Sequence, residues 1–592
     1  MTRLRKSELK AADPYTGPVS EEQAESGSRT SGGPLERLSD ESVVGGIFII
    51  ALVLRMIHLS QIAENDPFYT LGGVDGALYD SWARQIVADR SLGDHVIFLG
   101  PLYPLFMATL YGLFGAGLPL LKAVQAVVGT LTCVAVWALA REAFGRTVAV
   151  VAGLMMAVYG MHIFYGGTVM IVNLQAPLVV TVVWLALRAR NQSKPGSWAI
   201  CGLVLGLSVL ARQTTLLLAP LLVLWILFDF HPTQRLGRRL LSAATFVLPL
   251  AALILPFTLH NYRVGQDFVL VNSTGGYSFY MGNRQGTDGT WQLPPLDWPG
   301  RIDNPLVMRE AFSGIAEREL ERPLRPSEVS SYWLTRGLQE IWNDPFEWIG
   351  LELRKAGLFL NAYEVWNNRS FEISQQFSWV LRLPLISFGL IAPLALLGIA
   401  LNLRRVAALF PLFAGVAVYF FSALMIFVLS RYRFPGTALM IPFAAFALVD
   451  LINRGLRSEW TGLATRFVAL LLLSILVYWP LTSEKRLHMA WYNLGNQFRT
   501  LERYEESINA YHESLQINPV AISTHNNLAL AFEGSGDRGK AIESWSRVRQ
   551  LASMRGDTTY IERANRHLAE LHSAEANGSG TNEAPGHSRQ TR

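Results

Sequence analysis

The chain has 592 residues, of which 51% are hydrophobic and 16% charged, against about a quarter charged in an ordinary soluble domain. So few charges cannot cover a chain of this size with a water-compatible surface, which excludes a wholly soluble protein. The net charge of +5 lies mostly in short loops between apolar runs, where Lys and Arg set topology, and no nucleic-acid-binding motif accompanies it.

Residues 1–42 are polar and rich in Gly, Ser, Pro and Glu, and are expected to form a disordered cytoplasmic tail without a cleavable signal peptide. Apolar runs follow at 43–61, 118–140, 147–164, 168–187, 198–211, 214–230, 240–259, 376–400, 406–429, 434–452 and 464–481. A spanning helix needs about 20 apolar residues, so 198–211 is short. The run 101–115 is also short and carries Pro101 and Pro104; it is expected to lie in the interface. With the N-terminus inside, the inner loops hold thirteen Lys and Arg residues and the short outer segments five. The positive-inside rule therefore favours eleven spans. Three outer elements result: a loop at 62–117, a stretch rich in Trp, Gly and Pro at 260–375, and everything after about residue 482. The two cysteines, Cys133 and Cys201, both fall inside spans, so neither a disulfide framework nor a cysteine metal site is expected.

The tail repeats at a period of 34. Trp491, Leu494, Gly495, Phe498, Ser507, Tyr511 and Pro519 are followed 34 residues on by His525, Leu528, Ala529, Phe532, Ala541 and Trp545. The spacing resembles a pair of tetratricopeptide (TPR) units, and Tyr560 to His572 resembles a capping helix. A helical domain over 482–572 is expected, then a disordered tail at 573–592. Two repeats are fewer than such a stack needs to stand alone, so the unit should lean on the rest of the protein. It is either a docking surface for a protein or a stabilising lid.

In the first outer loop Asp75 opens a helix on which Tyr79, Trp82 and Ile86 share one face, suited to the headgroup region. An acid there can cap the helix, do chemistry, or both. Asp75 and Tyr79 after the first span, then Pro101-Leu102-Tyr103-Pro104 and a run ending Leu113-Phe114-Gly115, resemble the GT-C membrane glycosyltransferases, in the branch of the protein O-mannosyltransferases and the lipid A aminoarabinose transferase. The likeness covers about 40–480, through Ala211-Arg212-Gln213-Thr214, Asn261-Tyr262-Arg263, Gly275-Gly276-Tyr277 with Gly282-Asn283, and Arg431-Tyr432-Arg433-Phe434-Pro435.

The resemblance implies a mainly α, polytopic GT-C-like domain over 43–481 that moves a sugar from a polyprenyl-phosphate donor to an acceptor at the outer face. It makes Asp75 the general base of a single, inverting displacement, since an acceptor hydroxyl must lose its proton during attack. The departing phosphate needs cations more than an acid. Arg212, Arg431, Arg433 and Arg263, near the outer ends of spans, are the candidates, with snorkelling to lipid phosphate as the alternative for each. Tyr79, Trp82 and Tyr103 would shape the cavity. The lipid bilayer, the lipid-linked donor and a protein met through the TPR unit are the expected partners, in a bacterial inner membrane with the C-terminus in the periplasm.

The chain departs from the family in three places. Gly76 replaces a second acid after Asp75, Leu99-Gly100 stands where a basic residue often precedes Pro-Leu-Tyr, and Asn173 and Gln175 stand where many relatives carry an acid. Hard divalent ions want carboxylate oxygens, and few are offered, so no metal ligand is assigned and a divalent metal is not favoured. Asp66, Asp80 and Asp94 are possible substitute acids, otherwise solvated or capping. His95 and His162 are read as structural or interfacial. Arg55 and His58 in the first span either line the cavity or pair internally. Within 260–375, residues 269–272 and 277–281 read as short strands around a Gly-Gly turn. Trp291, Trp298, Trp333, Trp342, Trp348 and Trp366 suit sugar faces, interfacial anchoring or a core. The rival readings are a transporter, a glycan ligase of the O-antigen type, and a non-catalytic scaffold built around its TPR unit.

Overall fold

The computed structural model describes residues 38–70, 73–115, 117–192, 194–228, 235–299, 302, 304–481 and 487–578. Most of the two predicted tails, 1–37 and 579–592, lies outside the described residues. The chain divides into two compact units, 1–46 and 47–592. In the first, helix α1 (Asp40–Asn65) starts two residues before the predicted tail ends. Ser39 accepts the Ser42 N–H on its hydroxyl at 3.1 Å, and Asp40 and Glu41 occupy the first turn, where negative charge is favoured.

In the second unit the membrane-spanning candidates and their connections alternate. Helices α2 (Gly73–Asp89), α3 (Leu102–Phe114), α4 (Leu118–Phe144), α5 (Arg146–Ala157), α6 (Gly160–Gly166), α7 (Val172–Gln192), α8 (Pro195–Ala211), α9 (Leu218–Phe228) and α10 (Leu236–Gly265) come first. The outer segment carries α11 (Gly275–Asn283), α12 (Pro305–Leu320), α13 (Pro326–Asn343), α14 (Pro345–Leu360) and α15 (Phe371–Ser374). Helices α16 (Phe388–Leu401), α17 (Phe410–Met425), α18 (Ser430–Leu456) and α19 (Trp460–Val477) complete the apolar part. Five further helices follow: α20 (Leu487–Thr500), α21 (Tyr504–Ile517), α22 (Ile522–Ser535), α23 (Arg538–Arg555) and α24 (Thr558–Gly578). The last continues through 573–578, six residues into the stretch expected to be disordered.

Helices α1, α4, α7, α10, α18 and α19 are long and apolar enough to cross a membrane, and six shorter apolar helices accompany them, among them α3 on the run read as interfacial. Each of the eleven expected segments falls on a helix, with two corrections. The run 147–164 breaks at Val158 into α5 and α6, because Ile386 crosses there: its N–H donates to Val158 O at 3.1 Å and its carbonyl takes the Gly160 N–H at 3.0 Å. For the same reason the run 376–400 is helical only from Phe388, the residues before it forming short turns and this crossing.

The expected strands are absent. Residues 269–272 run along the end of α10, which takes their carbonyls: Asn261 donates to Val269 O and Val271 O at 2.9 and 3.1 Å, and Thr258 to Leu270 O at 2.7 Å. Residues 277–281 lie within α11. Its buried Tyr277 and Met281 pack with Phe312, Val329 and Trp333 into the core of the outer segment.

The five C-terminal helices form the TPR unit, and it does lean on the rest of the chain. The exposed end of its first repeat, where a preceding repeat would pack, is covered by Phe68, Trp366, Ile373 and Phe377, which meet Ala490, Leu494 and Phe498 of α20. Helix α24 covers the other end through Ala564 and Leu568 against Trp545 and Val548.

Candidate active site

Helix α2 begins at Gly73, so Asp75 stands in its first turn and is not its cap. The face expected to lie among headgroups is turned into protein, because α3 covers it. Tyr79 and Trp82 are buried. The Tyr79 ring meets Tyr103 of α3 edge-on, centroids 5.1 Å apart, and the Trp82 indole donates to Leu92 O at 3.1 Å. Tyr103 is fully buried and donates to Gln125 of α4, which in turn donates to Thr168 O at 3.0 Å. Burial, then the neighbouring Asp75 charge, raises the Tyr79 phenol above its ordinary pKa.

Across from α2 is the first turn of α18. The Arg431 guanidinium bonds directly to the Asp75 carboxylate, the two side chains being 18% and 17% exposed. Arg431 Nε is buried with no hydrogen-bond partner. Arg212, the residue that ends α8, lies 3.4 Å over the Tyr432 ring, and Arg431 lies 5.2 Å from the same ring. Asp75, Tyr79, Arg212, Arg431 and Tyr432 line one cavity of about 820 Å³. Met170, Leu216, Leu217 and Pro220 make its apolar wall, and Gln175, Asn272, Thr274 and Ser278 its polar one.

Two glycines close the cavity wall by backbone contact. A Cβ on Gly100 would sit 2.1 Å from Ala211 O, and one on Gly276 1.8 Å from Ser330 O; both glycines' neighbours line the cavity. Gly100→Ala should therefore push Phe98 and Leu99 off the end of α8, at a cost of about 1–3 kcal/mol. A lowered unfolding midpoint of the purified protein is the expected reading; an unchanged midpoint would show that the loop relaxes freely.

The other sequence candidates are placed elsewhere. Arg433, expected to bind the donor phosphate, is 2% exposed and already engaged. It donates to Phe359 O at 3.0 Å, Asn361 O at 2.7 Å and Glu364 at 2.7 Å, so it caps the C-terminal end of α14, where unpaired carbonyls attract a cation. Removing one partner of such a buried pair costs about 3–5 kcal/mol. Arg433→Met should thus lower the unfolding midpoint steeply, and pairing it with Glu364→Gln should restore part of the loss; no partial recovery would reject the pair as the cause. Arg263 sits exposed on the last turn of α10 and is not among the cavity-lining residues.

Of the substitute acids, Asp66 is buried against Arg369, Asp80 takes Arg84 and the Tyr111 hydroxyl, and Asp94 is exposed; none lines the cavity. Arg55 pairs internally with His162 at 2.6 Å, and His58 with Ser378 at 2.9 Å. His95 packs on Phe98, centroids 6.2 Å apart. Asn173 bonds Thr168 O at 2.9 Å, outside the cavity. None of the six tryptophans of the outer segment lines the cavity, and Trp333 is core.

Two groups that the sequence analysis names without a role belong to the site. Tyr432 is the ring on which Arg212 lies, and its place between two arginines on the outer side was the available signal. Gln175 holds Tyr419 with its amide at 3.0 Å, leaving its buried Oε1 without a partner. Among the described residues no three His, Cys, Asp or Glu side chains converge. Among the described residues Asp75 is the only carboxylate on the cavity wall, and it is already on Arg431, so the donor set does not fit a hard divalent ion.

Residues 99–259 match the dolichyl-phosphate-mannose-protein mannosyltransferase family, and residues 488–519 match the tetratricopeptide repeat. No curated protein matches the chain. Among solved structures, the oligosaccharyltransferase of Archaeoglobus fulgidus in its apo form is 16% identical, with 79% of this chain and 59% of that chain covered and a TM-score of 0.43. The same figures hold for AglB from that organism in complex with an inhibitory peptide and a dolichol-phosphate. ArnT from Cupriavidus metallidurans bound to undecaprenyl phosphate is 16% identical, with 70% and 79% covered and a TM-score of 0.33. The chain thus spans about three-fifths of the archaeal proteins' length. The chain is thus similar to the dolichyl-phosphate-mannose-protein mannosyltransferases over residues 99–259 and to the tetratricopeptide repeat over residues 488–519.

Proposed function

We propose that the protein transfers a sugar from a polyprenyl-phosphate donor to an acceptor hydroxyl at the outer face of a bacterial inner membrane. One observation carries this reading: among the described residues a single carboxylate, Asp75, shares a cavity with two guanidinium groups, Arg431 and Arg212, beside an apolar wall. The family match over 99–259 supports the donor class, since that stretch supplies Leu99, Gly100, Met170, Gln175, Arg212 and Leu217 to the wall.

In the proposed step the donor phosphate binds Arg212 and Arg431. The phosphate takes the Arg431 donors that Asp75 now holds, which frees a carboxylate lone pair for the acceptor. The acceptor O–H gives its proton to Asp75 as its oxygen attacks the anomeric carbon. The bond from that carbon to the phosphate oxygen breaks, and the electron pair leaves with the phosphate onto the two arginines. A single displacement inverts the anomeric centre. The outer-face reading is supported by the excess of Lys and Arg in the loops taken as inner, which favours eleven spans with the N-terminus inside and so a periplasmic cavity, outer segment and TPR unit. A protein met through the TPR unit is the proposed partner or acceptor.

The test is release of free polyprenyl phosphate by purified protein offered a panel of polyprenyl-phosphate sugars with acceptor extract. Release with one donor, and a product of opposite anomeric configuration, is the expected result. Retention of configuration would reject the single displacement. No release from any donor by folded protein would reject the function.

A further inference from the structure

We infer that the first TPR helix is a positioning element for Asp75, acting through a clamp on the segment that leads into α2. The inference rests on the proposed role of Asp75 and extends it to residues outside the cavity.

The clamp has three jaws. Gln497 of α20 donates its amide to Pro67 O at 3.1 Å. The Phe68 side chain packs against the cluster that α20 forms with Trp366, Ile373 and Phe377, with the Arg369 guanidinium 5.1 Å from its ring. The Asp66 carboxylate, its side chain fully buried, pairs with Arg369 and accepts the Phe68 N–H at 3.0 Å. On the membrane side, Lys122 of α4 donates to Tyr69 O at 2.8 Å and lies 3.8 Å over the Tyr69 ring. Phe377 joins the two sides, packing against the α20 cluster and, like Tyr69, against the cluster of Leu59, Ile62 and Ala126. Four consecutive residues, 66–69, are thus each fixed by a different contact.

Asp75 is only six residues beyond Tyr69 in the chain, a reach of at most about 20 Å, so the clamp limits where α2 can start. Beyond the clamp, α2 is held by Tyr79 on Tyr103 and by the Asp75–Arg431 bond itself. No residue of the clamp lines the cavity. A shift of Asp75 by a fraction of an ångström would alter proton transfer while leaving the phosphate ligands, on α8 and α18, in place. An isolated cap for a two-repeat stack needs none of these polar contacts; the contacts from α20 and Arg369 to the backbone and side chains of residues 66–68 are what a positioning role adds.

The test uses the full chain in lipid nanodiscs, with Phe68→Ala, Phe68→Leu and Gln497→Ala compared with wild type and with Arg547→Ala, on α23 outside this cluster. Hydrogen exchange of the amides in 77–85 should speed up in Gln497→Ala by about 2- to 10-fold, the worth of one hydrogen bond, and more in Phe68→Ala. Phe68→Leu should return it most of the way, and Arg547→Ala should leave it unchanged. Turnover in Phe68→Ala should fall ~10-fold or more, with the KM for donor and the affinity for polyprenyl phosphate unchanged. Unchanged exchange at 77–85 in Gln497→Ala and Phe68→Ala, with the TPR unit folded, overturns the inference, as does a loss that falls on KM alone. If Phe68→Ala does not fold, Gln497→Ala decides. If wild type transfers no sugar, the proposed function fails and the exchange measurements still decide the coupling.

Discussion

Asp75→Asn should abolish most turnover while leaving donor binding intact or tighter. A positioned base contributes typically about 10²–10⁴-fold, so kcat should fall by that factor. Among the described residues no other carboxylate lines the cavity, so no neighbour can take over the proton. Asp66 and Asp80 are held by Arg369 and Arg84. Binding should move the other way. In the free protein the carboxylate holds the Arg431 guanidinium that the donor phosphate needs, and its charge opposes the phosphate's. The amide of Asn removes that charge, so the Kd for polyprenyl phosphate should stay the same or drop a few-fold. The two readouts together separate a lost base from a collapsed site, in which both would worsen. Full turnover in Asp75→Asn would remove the base from the mechanism.

The parts of this architecture that obey a periodicity were legible in the sequence. Apolar runs gave the helices, and the period of 34 gave the repeat. The parts decided by a distant backbone were not. Nothing local marks Val158 as a break, since its carbonyl is satisfied by Ile386, more than two hundred residues away. Residues 269–272 have strand-like composition, yet Asn261 and Thr258 take their carbonyls. The site was legible as chemistry but not as assembly. Arg212 and Arg431 could be chosen because each is a charge at the outer end of an apolar run, and Asp75 because it stands at the acid position of the family that the chain resembles. Arg433 satisfies the same criterion, and a helical rotation of about 200° from Arg431 turns it away from Asp75 and onto the end of α14. Sequence position alone does not say which of two arginines on a helix faces the cavity. Burial of the outer helices' Tyr79 and Trp82 was hidden for a similar reason, since it depends on α3 folding back over α2.

Arg431→Gln should raise the KM for donor and the Kd for polyprenyl phosphate together, by about 10- to 100-fold, the worth of a charge-assisted hydrogen bond to phosphate. Arg212→Gln should act in the same direction. Arg431→Lys should recover only part of the loss, because an ammonium keeps the charge without the two parallel donors. Arg431 differs from Arg212 in being the partner of Asp75. Removing it leaves the carboxylate, 17% exposed, without its cation, which is a cost of its own. In wild type the phosphate must also break the Asp75–Arg431 bond, a cost that Asp75→Asn removes, so in the Asn background the loss of Arg431 should weaken polyprenyl phosphate binding more than it does in wild type. The same cycle built on Arg212, which stacks on Tyr432 and is not bonded to Asp75, should be closer to additive. Additivity in both cycles would mean that Arg431 and Asp75 act on the phosphate independently, and the exchange of Arg431 from carboxylate to phosphate would then have no part in the mechanism.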